Sequence, residues 1–209
     1  MGIQIVQDDL GSGHSSLLRM DRYAFDVVKI DQGLVRSALR KPQRALEFIL
    51  YLTRLAHAFK TPVTVEGLEN LGMIEAAAIL GADFGQGYGI AKPMPASDII
   101  TWHQGYVYSV NPKAPRTALG AMAGYMLWDL QLASTAHWSK PLEELMIENP
   151  ILDQYIANNS LQGSSLDQIL RDRQISNLAE PPVNLYQDSR TKVIEVLTEY
   201  WLAETGKTP

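Results

Sequence analysis

Two adjacent carboxylates, Asp8 and Asp9, close a short apolar run, and two glycines follow them in "VQDDLGSG". Like charges side by side repel, so the pair needs a counter-charge. Adjacent aspartates suit hard divalent cations such as Mg²⁺ and Mn²⁺, which prefer oxygen ligands and keep several waters. One carboxylate can bridge two such ions while its neighbour binds one. Two ions roughly 3.5–4 Å apart activate a water and stabilise the leaving oxygen of a phosphoester. A lysine beside that water orients it and neutralises developing charge. Lys29, Glu66 and Gln86 are the residues that could join Asp8 and Asp9 in such a site. Each also has a plainer reading. A D-D-x-G-x-G turn also occurs as a solvated strand-to-helix connection. Glu66-Gly67 also reads as an ordinary turn, and Lys29 as a solvated charge.

These residues are distant in sequence, so the elements around them must bring them together. The first half alternates strand-like and helix-like stretches. Ile3, Ile5 and Val6 form a short apolar run, 15–23 reads as a short helix, and "DVVKID" (26–31) as a strand ending in charge. The segment 43–60 reads as a long helix. Leu46, Ile49, Leu50, Thr53 and Ala56 share one of its faces, as expected for a helix packed on a sheet. "PVTVEG" is another strand, 71–80 a helix ended by Gly81, "FGQGYGI" the last strand, and a short helix runs to about His103. This order predicts a parallel sheet with helices outside. In a β/α barrel the C-terminal strand ends share one mouth, which is where Asp8, Lys29, Glu66 and Gln86 all fall.

"SVNPKAPRTA" (109–118) reads as a linker, and the strand signals stop beyond it. Helices are predicted over 117–138, 141–148, 151–159, 164–174 and 188–204, with "AEPPVNLY" separating the last two. The expected organisation is therefore a β/α unit over 1–106, a linker over 107–116 and a small all-α domain over 117–209. Net charge is −1 over 1–112 and −4 beyond, which also separates the two parts. His57, on an apolar helix, reads as packing or surface, and the Tyr125, Met126 and Trp128 cluster as the core of a helical bundle.

The 209 residues and 46% hydrophobic composition allow a substantial core. The net charge of −5 gives no sign of a nucleic-acid or membrane surface. With no cysteine there are no disulfides or thiolate metal sites. No apolar run approaches the roughly 20 residues of a membrane span, and the N-terminus does not read as a signal peptide. These features predict a soluble, cytoplasmic protein.

Four stretches, "DDLGSGHSSL", "FDVVKID", "VTVEGLEN" and "GADFGQGYGIAKPMP", together resemble the second half of EAL domains, the bacterial cyclic-di-GMP phosphodiesterases. Members typically read D-D-F-G-T-G-Y-S-S-L, V-D-x-L-K-I-D, A-E-G-V-E and G-x-x-x-Q-G-Y-x-x-x-x-P-x-P. The resemblance covers residues 3 to about 104. The substitutions are mild: Leu10 for Phe, Ser12 for Thr, His14 for an aromatic, Val65 for Ala and Asn70 for Thr.

The resemblance implies a fold and a set of roles. The fold is α/β, the C-terminal half of a TIM-type (β/α) barrel followed by the all-α domain. Asp8 would bridge two metals, Mg²⁺ or Mn²⁺, and Asp9 and Glu66 would serve the second. Lys29 would sit beside the attacking water, and Gln86 would hold the water or metal network. Glu69 would support the ligands from behind. Gly11, Ser12 and Gly13 would belong to the mobile loop over the site, and Gly87, Tyr88, Pro93 and Pro95 to the substrate rim. The reaction would be hydrolysis of one phosphodiester bond of cyclic-di-GMP, giving pGpG.

The E-x-L strand of the family, its following asparagine and glutamate ligands and a substrate-gripping arginine are absent from this chain. A half barrel leaves unpaired strand edges and an open apolar interior. The chain is thus predicted to be inactive alone, its parent an enzyme, and its partners cyclic-di-GMP together with a missing N-terminal half or further copies of itself. The alternative is a partial EAL module acting as a nucleotide receptor or protein-interaction domain. An unrelated metal-dependent β/α hydrolase is a third reading.

Overall fold

The computed structural model describes residues 2–12, 17–135, 149–176 and 182–206, and in it strand and helix alternate through the first hundred residues. Four strands, β1 (Val6–Leu10), β2 (Val27–Ile30), β3 (Val63–Val65) and β4 (Phe84–Gly85), form one sheet in sequence order. All three pairings are parallel. Between and after them run α1 (Leu17–Arg22), α2 (Gln32–Arg36), a 3-10 turn (Ser37–Leu39), α3 (Pro42–Ala58), α4 (Leu71–Ile79) and α5 (Ala96–Gly105). The expected mixed α/β class with a parallel sheet is what forms.

Alternation along the strands gives the sheet two unlike faces. Val28, Ile30, Val63 and Val65 are fully buried, and β2 and β3 pack against α3. α3 answers with Ala45, Leu46, Ile49, Leu50, Thr53 and Ala56, spaced three or four apart on one stripe. Each valine, leucine or isoleucine buried here contributes about 1.5–3 kcal/mol relative to exposure. Residues of opposite parity, Val6, Asp8, Lys29 and Thr64, point to the other face, where Val6 and Phe84 remain exposed.

Two expectations are corrected in this part. "FGQGYGI" is a strand only over Phe84–Gly85. The backbones of Gly87 and Gly89 press onto Leu68–Asn70 so closely that added Cβ atoms would lie 2.2 Å from Leu68 O and 2.6 Å from Asn70 N. The Gly89 amide donates to Leu68 O, so the chain wraps around that turn instead of extending. Residues 32–39, assigned no element from sequence, form α2 and the 3-10 turn, with Asp31 capping α2 through bonds from the Gly33 and Leu34 amides.

The remaining described helices are α6 (Ala118–Thr135), α7 (Pro150–Asn158), α8 (Ser165–Ser176) and α9 (Pro182–Glu204). α9 starts earlier than the predicted 188, because Pro182 sits at its first position, where a missing N–H costs nothing. The predicted helix 141–148 and the early part of the predicted 15–23 helix lie outside the described residues. α6 packs on α4, and α9 packs on α6, α8 and α3. Alanines 76, 77, 118, 121 and 123 are buried and let α4 and α6 approach closely. Trp201 of α9 donates its indole N–H to Ala38 O at 2.9 Å, and its ring lies over Gly72. Side chains from the β/α part and from the helices beyond 117 thus meet in one hydrophobic core. Tyr125 is fully buried there and stacks on Trp128 at 5.7 Å. No described helix is long and apolar enough to cross a membrane.

Candidate metal and phosphoester site

An ideal strand would send Asp8 and Asp9 to opposite faces of the sheet. Here Gln7 pairs with Val28 and Leu10 with Ile30, so β1 carries one extra residue between these pairs. Asp9 takes a left-handed conformation, φ +55°, which aspartate tolerates better than most residues. The bulge leaves both carboxylates exposed on one side while Gln7 and Leu10 stay buried. Gly11 follows at φ +99°, and Ser12 closes the turn by donating its amide and hydroxyl to Asp9 O.

Glu66 follows directly on β3, and its amide donates to Ile30 O at 3.2 Å. Oxygens of Asp8, Asp9 and Glu66 all lie within 4.8 Å of one another. Lys29, near the end of β2, enters this group, pairing with Glu66 and lying 3.3 Å from Asp8 Oδ1. The Glu66 carboxylate holds the Lys29 ammonium above the ordinary lysine range; burial opposes this and Asp8 adds to it. The Glu66 side chain is only 14% exposed against 64% for Asp8, so Glu66 anchors the cluster and Asp8 faces solvent. The donor set is all oxygen and carries three negative charges, with an ammonium already among them. The three oxygen donors fit a hard divalent cation, whose charge the Lys29 ammonium opposes.

The other predicted residues are placed around this cluster. Gln86 is exposed. Its amide donates to Val65 O, and it lines a cleft of about 450 Å³ with Gly87, Tyr88 and Pro93. Pro95 lies outside that lining and precedes α5 as its N-cap. Glu69 accepts from Arg36 Nε at 2.7 Å. Gly11 and Ser12 lie in the turn after Asp9, while Gly13 falls outside the described residues.

Sequence reasoning missed Trp102 and Lys92 in the cleft wall, and Arg36 behind Glu69. Trp102 lies on a helix whose described residues include none that are buried, which only the structure shows. Arg36 carried no signal in sequence either. His57, read as packing or surface, donates to or accepts from Asp83 Oδ2 at 2.8 Å, depending on its tautomer. Asp83 also accepts from the Val63 amide. Burial pushes the Asp83 carboxyl up, but His57 and the Val63 amide outweigh it and hold the group below the usual carboxylate range.

A parallel β/α unit with carboxylates and a lysine gathered at the C-terminal strand ends is built like the mouth of a β/α enzyme. Residues 1–93 match the EAL domain family. Among curated proteins it is similar to the probable cyclic di-GMP phosphodiesterase PdeN of Escherichia coli, 31% identical over 102 residues. That match covers 49% of this chain and 20% of PdeN. The cyclic di-GMP phosphodiesterase PdeR of E. coli is 32% identical over 107 residues, covering 51% of this chain and 16% of that protein. The cyclic di-GMP phosphodiesterase RocR of Pseudomonas aeruginosa is 32% identical over 105 residues, covering 50% of this chain and 26% of that protein. The matched stretch thus spans about a quarter or less of each of these relatives. No solved structure matches the chain.

Proposed function

We propose that this chain carries part of the catalytic site of a metal-dependent cyclic di-GMP phosphodiesterase. The supporting observation is the convergence of Asp8, Asp9 and Glu66 around Lys29 at neighbouring strand ends. Mg²⁺ or Mn²⁺ bound by the three carboxylates would supply Lewis-acid charge and a more acidic water. Lys29 has the position and charge to orient a water and to stabilise negative charge on a phosphoryl oxygen. Gln86, Gly87, Tyr88 and Pro93 line the adjoining cleft, where the exposed Tyr88 ring offers a face for a guanine base. The product of opening one phosphodiester is pGpG, and the setting is cytoplasmic signalling.

Three carboxylates fill only part of an octahedral shell, and the sheet face that bears them is uncovered at Val6 and Phe84. In this proposal turnover requires further ligands from a complementary E-x-L-bearing polypeptide or from another copy of the chain. The same uncovered face also favours the second reading, a non-catalytic nucleotide or protein-binding module.

The test mixes the chain with a separately expressed E-x-L half of a related EAL domain, in Mn²⁺, and follows pGpG by chromatography. The expected result is hydrolysis by the mixture, none by the chain alone, and loss with Glu66→Gln. Mn²⁺ binding absent from the wild-type chain, or mixture activity indifferent to Glu66→Gln, overturns the proposal.

A further inference from the structure

A cavity of about 630 Å³ opens between the start of α3 and Thr198 of α9. Its wall holds three cations, Arg40, Lys41 and Arg44, within five consecutive residues. None of the three has a carboxylate partner among the described residues. Glu47, the carboxylate in the lining, accepts instead from Gln43 Nε2 at 2.9 Å. On a chain of net charge −5, this is a local excess of positive charge facing a concave surface. Like charges so close repel, and an anion relieves that repulsion.

Two aromatic rings complete the wall. Phe48 and Tyr51, one turn apart on α3, are 44% and 57% exposed, so both keep ring surface in water. The Arg44 guanidinium lies 5.6 Å from the Phe48 ring centroid, which places cation and ring at one edge of the cavity. A second cleft, of about 390 Å³, shares Lys41, Arg44 and Phe48 and extends to Gly11 and Asp31. It therefore reaches the turn after Asp9. Leu34 and Leu52 back that turn, their Cδ1 atoms 3.0 and 3.3 Å from where a Gly11 Cβ would lie.

Cations suited to phosphate, next to exposed rings suited to a planar base, in a cavity of small-molecule size, define the chemistry of a nucleotide. We infer that this outer cavity binds a phosphorylated nucleotide, its phosphates on Arg40 and Lys41 and its base against Phe48 and Tyr51. Stacking accepts any base, so the inference concerns the class and not the base. The site is separate from the strand-end carboxylates and does not depend on the phosphodiesterase proposal.

The experiment titrates ADP, adenosine and inorganic phosphate into the full chain by calorimetry. Saturable ADP binding at one site per chain is expected, with adenosine and phosphate each weaker than ADP. Arg40→Gln with Lys41→Gln is expected to weaken ADP about tenfold or more, as lost charged hydrogen bonds do. Tyr51→Ala is expected to weaken it about fivefold or more, as lost stacking does. Circular dichroism checks that each variant is folded. Glu66→Gln, at the strand ends, is expected to leave ADP affinity unchanged. Four results overturn the inference: no saturable binding, binding indifferent to both outer-cavity changes, phosphate binding as tightly as ADP, or ADP binding lost with Glu66→Gln.

Discussion

Arg36 donates through Nε to Glu69 Oε1 at 2.7 Å, so the last residue of α2 is tied to the turn that carries Glu66. The first residue of the same helix presses on that turn as well. Gly67 sits at φ +69°, and a Cβ there would lie 2.8 Å from Gln32 Cβ. Just before α2, the Asp31 amide donates to Leu10 O at 3.1 Å and reaches the end of β1. A five-residue helix thus braces two of the segments that supply carboxylates.

Arg36→Ala should therefore act on the site more than on the fold. Both partners are partly exposed, so the pair contributes at most about 1 kcal/mol to stability. A residue that orients ligands from behind commonly changes metal affinity about tenfold when removed. Mn²⁺ titration followed by electron paramagnetic resonance should show that loss, and Arg36→Lys should recover part of it. Equal Mn²⁺ affinity in wild type and Arg36→Ala would remove the bracing role.

Asp9 carries both a charge and a strained backbone, and two substitutions separate them. Asp9→Asn tolerates the left-handed conformation, so it should fold as the wild type does and bind Mn²⁺ more weakly. Asp9→Val loses the same charge and adds a β-branched side chain at φ +55°. It should lose a further 1–3 kcal/mol or so of stability in urea unfolding. Equal unfolding midpoints for the two variants would mean that the bulge is not fixed by this residue.

The convergence of Asp8, Lys29 and Glu66 was legible because each lies at or near the end of an apolar stretch, and a parallel sheet aligns such ends. What alternation could not show is how Asp8 and Asp9 share a side, because the bulge breaks the period of two that the reading rests on. The 84–90 stretch read as a strand from its aromatic and apolar residues. Its glycines instead serve a backbone-to-backbone approach onto Leu68–Asn70, a tertiary contact with no local pattern. The packing of the later helices onto α3 and α4 includes single distant pairs, such as Trp201 with Gly72 and Glu75 with Thr117, which periodicity does not encode.

Glu75 is one of those pairs and should be costly to remove. It is 4% exposed and accepts from the Arg116 amide, the Thr117 amide and the Thr117 hydroxyl, at 2.9, 2.9 and 2.6 Å. A carboxylate of α4 thereby caps the entry to α6. Glu75→Ala strands these donors in a part-buried setting and should destabilise the chain by about 2–4 kcal/mol. Glu75→Gln keeps an acceptor and should lose less. Gly120→Ala should also destabilise, since its Cβ would lie 2.2 Å from Glu75 Oε2. Urea unfolding followed by tryptophan fluorescence reads all three, and a Glu75→Ala midpoint equal to wild type would break the argument.

Glu204 stands at the same helix start and sets a pH dependence of opposite sign to that of a paired carboxylate. The residue as a whole is exposed, while its carboxylate accepts from the Ala118 amide at 3.0 Å in a part-buried setting. Burial, and then the charge of Glu75, push its carboxyl above the ordinary glutamate range; the Ala118 amide opposes them. The folded chain therefore holds this proton more tightly than the unfolded chain does. The contribution is full below the unfolded value of about 4.3 and is lost as pH rises through the higher folded value. Glu204→Gln keeps the acceptor and removes the titration. At pH 4 the variant and the wild type should unfold at nearly the same urea concentration. At pH 7 the variant should be the more stable of the two. A difference between them that fails to grow from pH 4 to pH 7 would mean that the Glu204 carboxylate ionises as readily in the folded chain as in the unfolded one.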